Sequence, residues 1–132
     1  GLCVLIVEDL EINRKVIALM VESLGHAYKF ACDGIEAVEQ LRAHEFDLIL
    51  MDIQMPRMDG VSATKEIRKL DGKAGQTPII AVTANAMAGD KEEYLAAGMN
   101  GYLSKPISPE GLRNEIKALG LAKDGQDKRS VA

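Results

Sequence analysis

Glu8 and Asp9 follow the apolar run Cys3 to Val7, Asp52 follows Asp47 to Met51, Thr83 follows Ile79 to Val82, and Lys105 comes just after Tyr102-Leu103. Three carboxylates brought to one place repel one another and raise each other's pKa unless a cation intervenes. A hard divalent ion suits such a set. Mg²⁺ fits better than a softer metal, because one or two carboxylates hold it together with waters and a phosphate oxygen. A carboxylate beside Mg²⁺ can also attack phosphorus and form an aspartyl phosphate. The metal and one ammonium then neutralise the transferring oxygens while a hydroxyl donates to a third, so positioning and electrostatics supply the catalysis. Lys105 and Thr83 provide that ammonium and that hydroxyl.

These residues work together only if their elements bring them to one edge. Cys3 to Val7 is an uninterrupted apolar stretch of the kind expected for a strand buried on both faces. Helical spacing follows, with Ile12, Val16, Leu19, Met20 and Leu24 on the inward face and Gly25 in the C-terminal cap position. The pattern repeats: a strand at Ala27 to Ala31, a turn at Asp33-Gly34, and a helix with Ile35, Val38 and Leu41 on one stripe. Asp47 to Met51 is the third strand, and the loop from Gln54 to Gly60 leads into a helix carrying Ala63, Ile67 and Leu70. Pro78 opens a fourth strand, Ile79 to Val82, before an Ala-rich helix ending near Gly98. A short fifth strand holds Tyr102 and Leu103, and Leu112, Ile116 and Leu119 mark a last helix. Alternation of this kind predicts an α/β fold with a parallel, open, doubly wound sheet. In such a sheet the carboxyl ends of the strands share one edge, and ligands bind in the crevice outside it. Glu8, Asp9, Asp52, Thr83 and Lys105 all fall on that edge.

Length and composition narrow the rest. The chain has 132 residues, 47% hydrophobic and 27% charged, which predicts one globular domain and excludes a disordered chain. Sixteen basic against twenty acidic residues, with no block of like charge, argue against direct nucleic-acid binding. No apolar run is long enough to cross a bilayer, so no membrane insertion of this segment is expected. Cys3 and Cys32 lack a CxxC partner and read as small core residues of a protein kept in a reducing cytosol. The expected domain covers residues 1–122, and residues 123–132 read as a polar tail or linker. The strand-like start without an initiator methionine suggests a piece of a longer polypeptide.

At this level of detail the chain resembles the receiver domains of two-component response regulators over about residues 2 to 120. The segments that carry the likeness are Val4 to Asp9, Leu50 to Pro56, Met58-Asp59-Gly60, Val82-Thr83-Ala84 and Lys105-Pro106. The resemblance implies a flavodoxin-like sheet in the order 2-1-3-4-5 with five helices. It implies that Asp52 is the phosphoacceptor and that Asp9, Asp52 and the backbone carbonyl of Gln54 bind Mg²⁺. Glu8 would hold a metal-bound water or the ion itself, and the pair Glu8-Asp9 stands where many members have two aspartates. Thr83 and Lys105 would contact the phosphoryl group, Tyr102 would turn inward as the switch residue, and Lys105-Pro106 would be a candidate cis bond. The wording around Asp52 and in Thr83 to Met87 is most similar to receivers fused to hybrid sensor histidine kinases. That likeness implies a phosphohistidine donor on a histidine kinase core or a histidine phosphotransfer domain. A dimer or an intramolecular kinase contact is open to such a domain, and the parent chain could carry a membrane anchor. The face around Tyr102 would be the partner surface. Gln54 and Asn85, each two residues past a site residue, would tune hydrolysis by holding or blocking the attacking water.

Plainer roles stand beside these. Asp9 could cap the first helix, Asp52 could be a loop-entry acid, Lys105 a turn residue, and Thr83 an ordinary β-branched strand residue. Tyr102 could be a half-buried aromatic. Met55, Met58, Met87 and Met99 read as core filler rather than a binding surface, and Asp33-Gly34 as a turn rather than a ligand. An aspartate-nucleophile phosphohydrolase of the haloacid dehalogenase type would want Asp-x-Asp, whereas Asp52-Ile53-Gln54 lacks the second acid. A flavodoxin-like cofactor binder would want a phosphate-cradling loop where Glu8-Asp9-Leu10-Glu11 would repel phosphate. A non-catalytic receiver-like interaction module is the remaining alternative.

Overall fold

Val4 to Val7, Leu48 to Met51 and Ile79 to Val82 are apolar at every position, and each forms a strand with no more than a trace of exposed surface. A computed structural model describes residues 1–55, 58–84 and 88–121, apart from the side chains of 88–90. Pro56, Arg57, Asn85, Met87 and the expected tail 123–132 lie outside the described residues. The element order is β1 (Cys3–Val7), α1 (Glu11–Ser23), β2 (Ala27–Ala31), α2 (Gly34–Ala43), β3 (Leu48–Asp52), α3 (Gly60–Arg68), a 3₁₀ turn (Gly72–Gln76), β4 (Ile79–Thr83), α4 (Ala88–Ala97), β5 (Gly101–Ser104) and α5 (Pro109–Ala118). The strands pair in parallel in the order β2-β1-β3-β4-β5, the flavodoxin-like α/β order that the resemblance implied.

Alternation along each strand divides the interior into two layers. Val4, Ile6, Leu48, Leu50, Ile80 and Val82 pack against α1 and α5 through Ile17, Ala18, Val21, Leu112 and Ile116. Leu5, Val7, Ile49, Met51, Ile79 and Ala81 pack against α2, α3 and α4 through Ala37, Leu41, Ala63, Ile67 and Tyr94. Met99 is buried in the second layer, with Met55 and Met58 packed against it, as core filler should be.

Some expectations need correction. The inward stripe of α1 is Ile17, Ala18 and Val21, while Ile12, Val16 and Leu19 are exposed. This helix is apolar on two faces, and the sheet takes the one that includes the small Ala18. In α2, Ile35 is likewise exposed, and Gly34, Ala37 and Leu41 make the contact. Cys3 and Cys32 are only partly buried, although Cys3 does pack against the core. The third strand starts one residue later than expected, and Asp47 joins β1 through its amide, which donates to Cys3 O at 2.8 Å, and its carboxylate, which accepts from the Cys3 amide at 2.9 Å. The 3₁₀ turn was not foreseen.

Candidate functional site

The register of the sheet assembles the site. Val7 pairs with Met51, Asp52 with Val82, and Thr83 with Ser104, so Glu8, Asp52, Thr83 and Lys105 end up side by side at the carboxyl edge. The Glu8 amide donates to Ala31 O at 3.0 Å and the Lys105 amide to Thr83 O at 2.8 Å, which carries the ladder one residue past the strands.

Glu8, Asp9 and Asp52 each offer a carboxylate oxygen to one point, with these atoms within 4.8 Å of one another. Glu8 and Asp52 are almost fully buried. Lys105 Nζ lies 3.3 Å from Asp52 Oδ1 and 3.5 Å from Glu8 Oε1, one cation facing two buried acids. Glu8 Oε2 accepts from the Leu10 amide at 3.2 Å, but among the described residues the buried Glu8 Oε1 has no hydrogen-bond partner. Burial above all, with the nearby Asp52 charge adding to it, pushes the Glu8 carboxyl up from 4.5 to about 7, against the opposing Leu10 amide and Lys105. A buried carboxylate oxygen that accepts no hydrogen bond and has an ammonium no nearer than 3.5 Å keeps lone pairs that a hard cation can use. The hard-oxygen donor set is of the kind Mg²⁺ takes, so the residues fit that ion.

Asp9 is not a helix cap. The N-cap of α1 is Leu10, with no side-chain cap bond, whereas Asp33 and Asp59 do cap α2 and α3. Asp33 thus caps a helix that begins at Gly34, where a turn was expected, and stands outside the acidic cluster. A side chain not foreseen as part of the site holds the acidic loop: Arg14 Nη1 donates to the carbonyls of Glu8 at 3.0 Å and Asp9 at 3.1 Å, with its guanidinium over the Phe30 ring. The Gln54 backbone amide donates to Asp52 Oδ1 at 3.3 Å. Lys105-Pro106 is cis.

Thr83 closes β4 and is buried, and Tyr102 is half-buried in β5 against the α2–α4 layer. Two contacts here carried no signal in the sequence pattern. Tyr94 OH donates to Thr83 Oγ1 at 3.2 Å, and Lys91 Nζ sits 5.5 Å from the centre of the Tyr102 ring. Gly60 explains part of the Met58-Asp59-Gly60 motif: a Cβ there would fall on the Asp52 carbonyl oxygen, so only glycine lets α3 start this close to Asp52. Among the described residues no helix is long and apolar enough to cross a membrane.

Comparison with known proteins agrees with this geometry. Residues 4–117 match the family model of the response regulator receiver domain. The signal transduction histidine-protein kinase BarA of Escherichia coli K12 is 48% identical over 114 residues, 86% of this chain and 12% of BarA, so the chain spans only a small part of that relative. The receiver domain of sensor histidine kinase PA1611 from Pseudomonas aeruginosa, crystallised with a magnesium ion in its active site cleft, superposes with a TM-score of 0.81 at 45% identity, covering 91% of this chain and 98% of that one. The Saccharomyces cerevisiae Ssk1 receiver domain, solved with the histidine phosphotransfer protein Ypd1, gives 0.84 at 32% identity over 96% and 94% of the two chains.

Proposed function

This chain belongs to the response regulator receiver domains, and from that premise we propose that Asp52 is the phosphoacceptor of a phosphorelay. The observation that carries this is the convergence of buried Glu8 and Asp52 with Asp9 on one point beside Lys105. In the transfer, the bond between phosphorus and the donor's imidazole nitrogen breaks, the nitrogen keeps the electron pair, and a bond from an Asp52 oxygen to phosphorus forms. Glu8, Asp9, Asp52 and the Gln54 carbonyl would hold Mg²⁺, which would supply charge neutralisation to the phosphoryl oxygens. Lys105 then binds a second phosphoryl oxygen and the Thr83 hydroxyl donates to a third, after which Tyr102 turns inward and the face around it changes. Gln54 occupies the place where an aspartate-nucleophile phosphohydrolase would carry its second acid, and the acids after β1 disfavour a phosphate-bearing cofactor.

The donor is a phosphohistidine on a kinase core or a histidine phosphotransfer domain, and the parent is a hybrid histidine kinase of the BarA kind. The isolated domain takes up and loses the phosphoryl group without turning over a substrate of its own. The donor must bring its imidazole to Asp52, so its docking surface must rim the carboxyl edge. Exposed Leu10 and Ile12 lie there at the start of α1, beside a cleft of about 340 Å³ that Val16 and Ile17 share with Lys105 and Ile107, and exposed Leu19 continues the apolar face along the helix. The fit of the Ssk1 receiver, solved with its phosphotransfer partner, supports a docking role of this kind. Ile12→Glu should therefore slow transfer from a phosphorylated histidine phosphotransfer domain and leave uptake from acetyl phosphate unchanged.

The decisive experiment is incubation with acetyl phosphate with and without Mg²⁺, followed by intact mass of wild type and Asp52→Ala. A metal-dependent gain of one phosphoryl group in wild type alone supports the assignment. A gain that persists in Asp52→Ala overturns it.

A further inference from the structure

Thr83 and Asp52 point to opposite layers of the sheet. By the two-residue period of a strand, Thr83 falls on the face of Ile79 and Ala81, which pack under α2–α4, whereas Asp52 falls on the face of Leu48 and Leu50, which pack under α1 and α5. The Thr83 hydroxyl accepts from Tyr94 OH at 3.2 Å, and each residue is only 5% exposed. A buried phenol hydroxyl needs a partner, and Thr83 supplies it.

We propose that Tyr94 is a positioning residue that latches the switch, its phenol holding the Thr83 hydroxyl on the α4 side of the sheet and away from a phosphoryl group on Asp52. This rests on Asp52 being the phosphoacceptor. A β-branched side chain moves between discrete χ1 wells, so the threonine that leaves for the phosphoryl oxygen gives up the Tyr94 contact in one step. Tyr94 then loses its acceptor while its side chain stays almost fully buried. A ligand shifts a two-state equilibrium only by its differential interaction with the two states, and the Tyr94 bond weighs on the unswitched side. The same helix carries the consequence onward. Lys91, one turn before Tyr94, sits over the Tyr102 ring, so α4 touches both residues that change in the switch. Freeing Tyr94 loosens α4 where it meets Tyr102.

Removing only the phenol oxygen tests the latch. Tyr94→Phe keeps the buried ring, so the amide spectrum should stay that of the folded protein. Titrated with beryllofluoride in the presence of Mg²⁺ and followed by NMR, Tyr94→Phe should bind about five-fold more tightly than wild type, the size of one modest hydrogen bond. In a Thr83→Ala background the same substitution should change nothing. In the free proteins, couplings about Thr83 χ1 should report one rotamer in wild type and an average in Tyr94→Phe. Weaker binding by Tyr94→Phe would mean that Tyr94 orients the hydroxyl toward the phosphoryl group, and would overturn the latch. So would equal affinity, a gain that survives in Thr83→Ala, or an unchanged Thr83 rotamer. If wild type binds no beryllofluoride, the phosphoacceptor assignment fails and the latch with it; if wild type binds and the variant does not differ, only the latch fails.

Discussion

At the carboxyl edge of the sheet, Glu8, Asp9 and Asp52 converge on one point, Lys105 faces two of them, and Glu8 Oε1 has no hydrogen-bond partner among the described residues. At the amino edge, charge is spread the opposite way. Arg68 reaches from the end of α3 and donates, among the described residues, to neutral acceptors alone: Gly75 O at 3.1 Å, Thr77 O at 2.8 Å, Gly98 O at 2.9 and 2.7 Å, and Asn100 Oδ1 at 2.9 Å. Asn100 Oδ1 also accepts from the Ile79 amide, Asp47 from Cys3, and His26 Nδ1 from Leu2. Desolvation pulls the Arg68 pKa down from its ordinary value, yet every direction of its fork meets an acceptor. Polar groups that each close a backbone bond hold strands in place. Like charges gathered without closure store repulsion that a cation and a phosphoryl group can relieve.

The sharpest contrast comes from removing one group at each edge. Asp52→Ala should abolish phosphoryl uptake and leave the melting temperature within a few degrees of wild type, since it removes one member of a repelling set along with its contact to Lys105. Arg68→Ala should do the reverse. Loss of the fork strands the carbonyls of Gly75, Thr77 and Gly98 between α3, the 3₁₀ turn and the start of β5, at a cost of about 3–4 kcal/mol. Urea titration should show that loss, while acetyl phosphate uptake, measured well below the transition, stays intact. Arg68→Lys should recover only part of the stability, because an ammonium cannot match the fork.

The pH dependence should separate the edges next. The Glu8 carboxyl is raised to about 7, so between about 4.5 and 7 the folded protein binds more protons than the unfolded chain. Without metal, its contribution therefore declines as pH rises through that window. Glu8→Gln should remove the decline and stabilise the metal-free protein at pH 8 by about 1–2 kcal/mol. Mg²⁺ displaces that proton, so wild-type affinity should strengthen up to about tenfold per pH unit below 7 and level off above it. Glu8→Gln should bind Mg²⁺ weakly with a flat profile, both readable by NMR titration. A parallel decline of stability in the variant would place the titration on another group.

Much of this was legible in the chain because the central strands are apolar throughout and the chemistry sits at their ends. Glu8, Asp52, Thr83 and Lys105 could be placed from that rule alone. The face of α1 could not. Ile12, Val16 and Leu19 have the right period and the bulk to dominate a count, whereas the true contact runs through Ala18, whose value is the close approach it permits. Arg68 escaped for a different reason: its partners are backbone carbonyls from separate turns, and a carbonyl carries no residue type. Tyr94 could be seen only once strand alternation and the seating of α4 together put its hydroxyl against Thr83.

The smallest expected effect bears on acids at helix starts, which look alike in the sequence. Asp59 accepts from the Ser62 amide at 2.8 Å and caps α3, at the edge where Gly60 abuts Asp52. Asp59→Ala should cost about 1 kcal/mol, or roughly 4 °C in a thermal melt, because it leaves an amide of the first turn without its acceptor. Asp9 stands one residue before the N-cap of α1 and caps nothing, for the helix starts behind Leu10 with no side-chain bond. Asp9→Ala should accordingly leave the melt unchanged or slightly higher while weakening Mg²⁺ binding. If Asp9→Ala instead lowered the melt as much as Asp59→Ala and left Mg²⁺ binding alone, Asp9 would be a structural acid, and the carboxyl edge would hold its cation with Glu8 and Asp52 only.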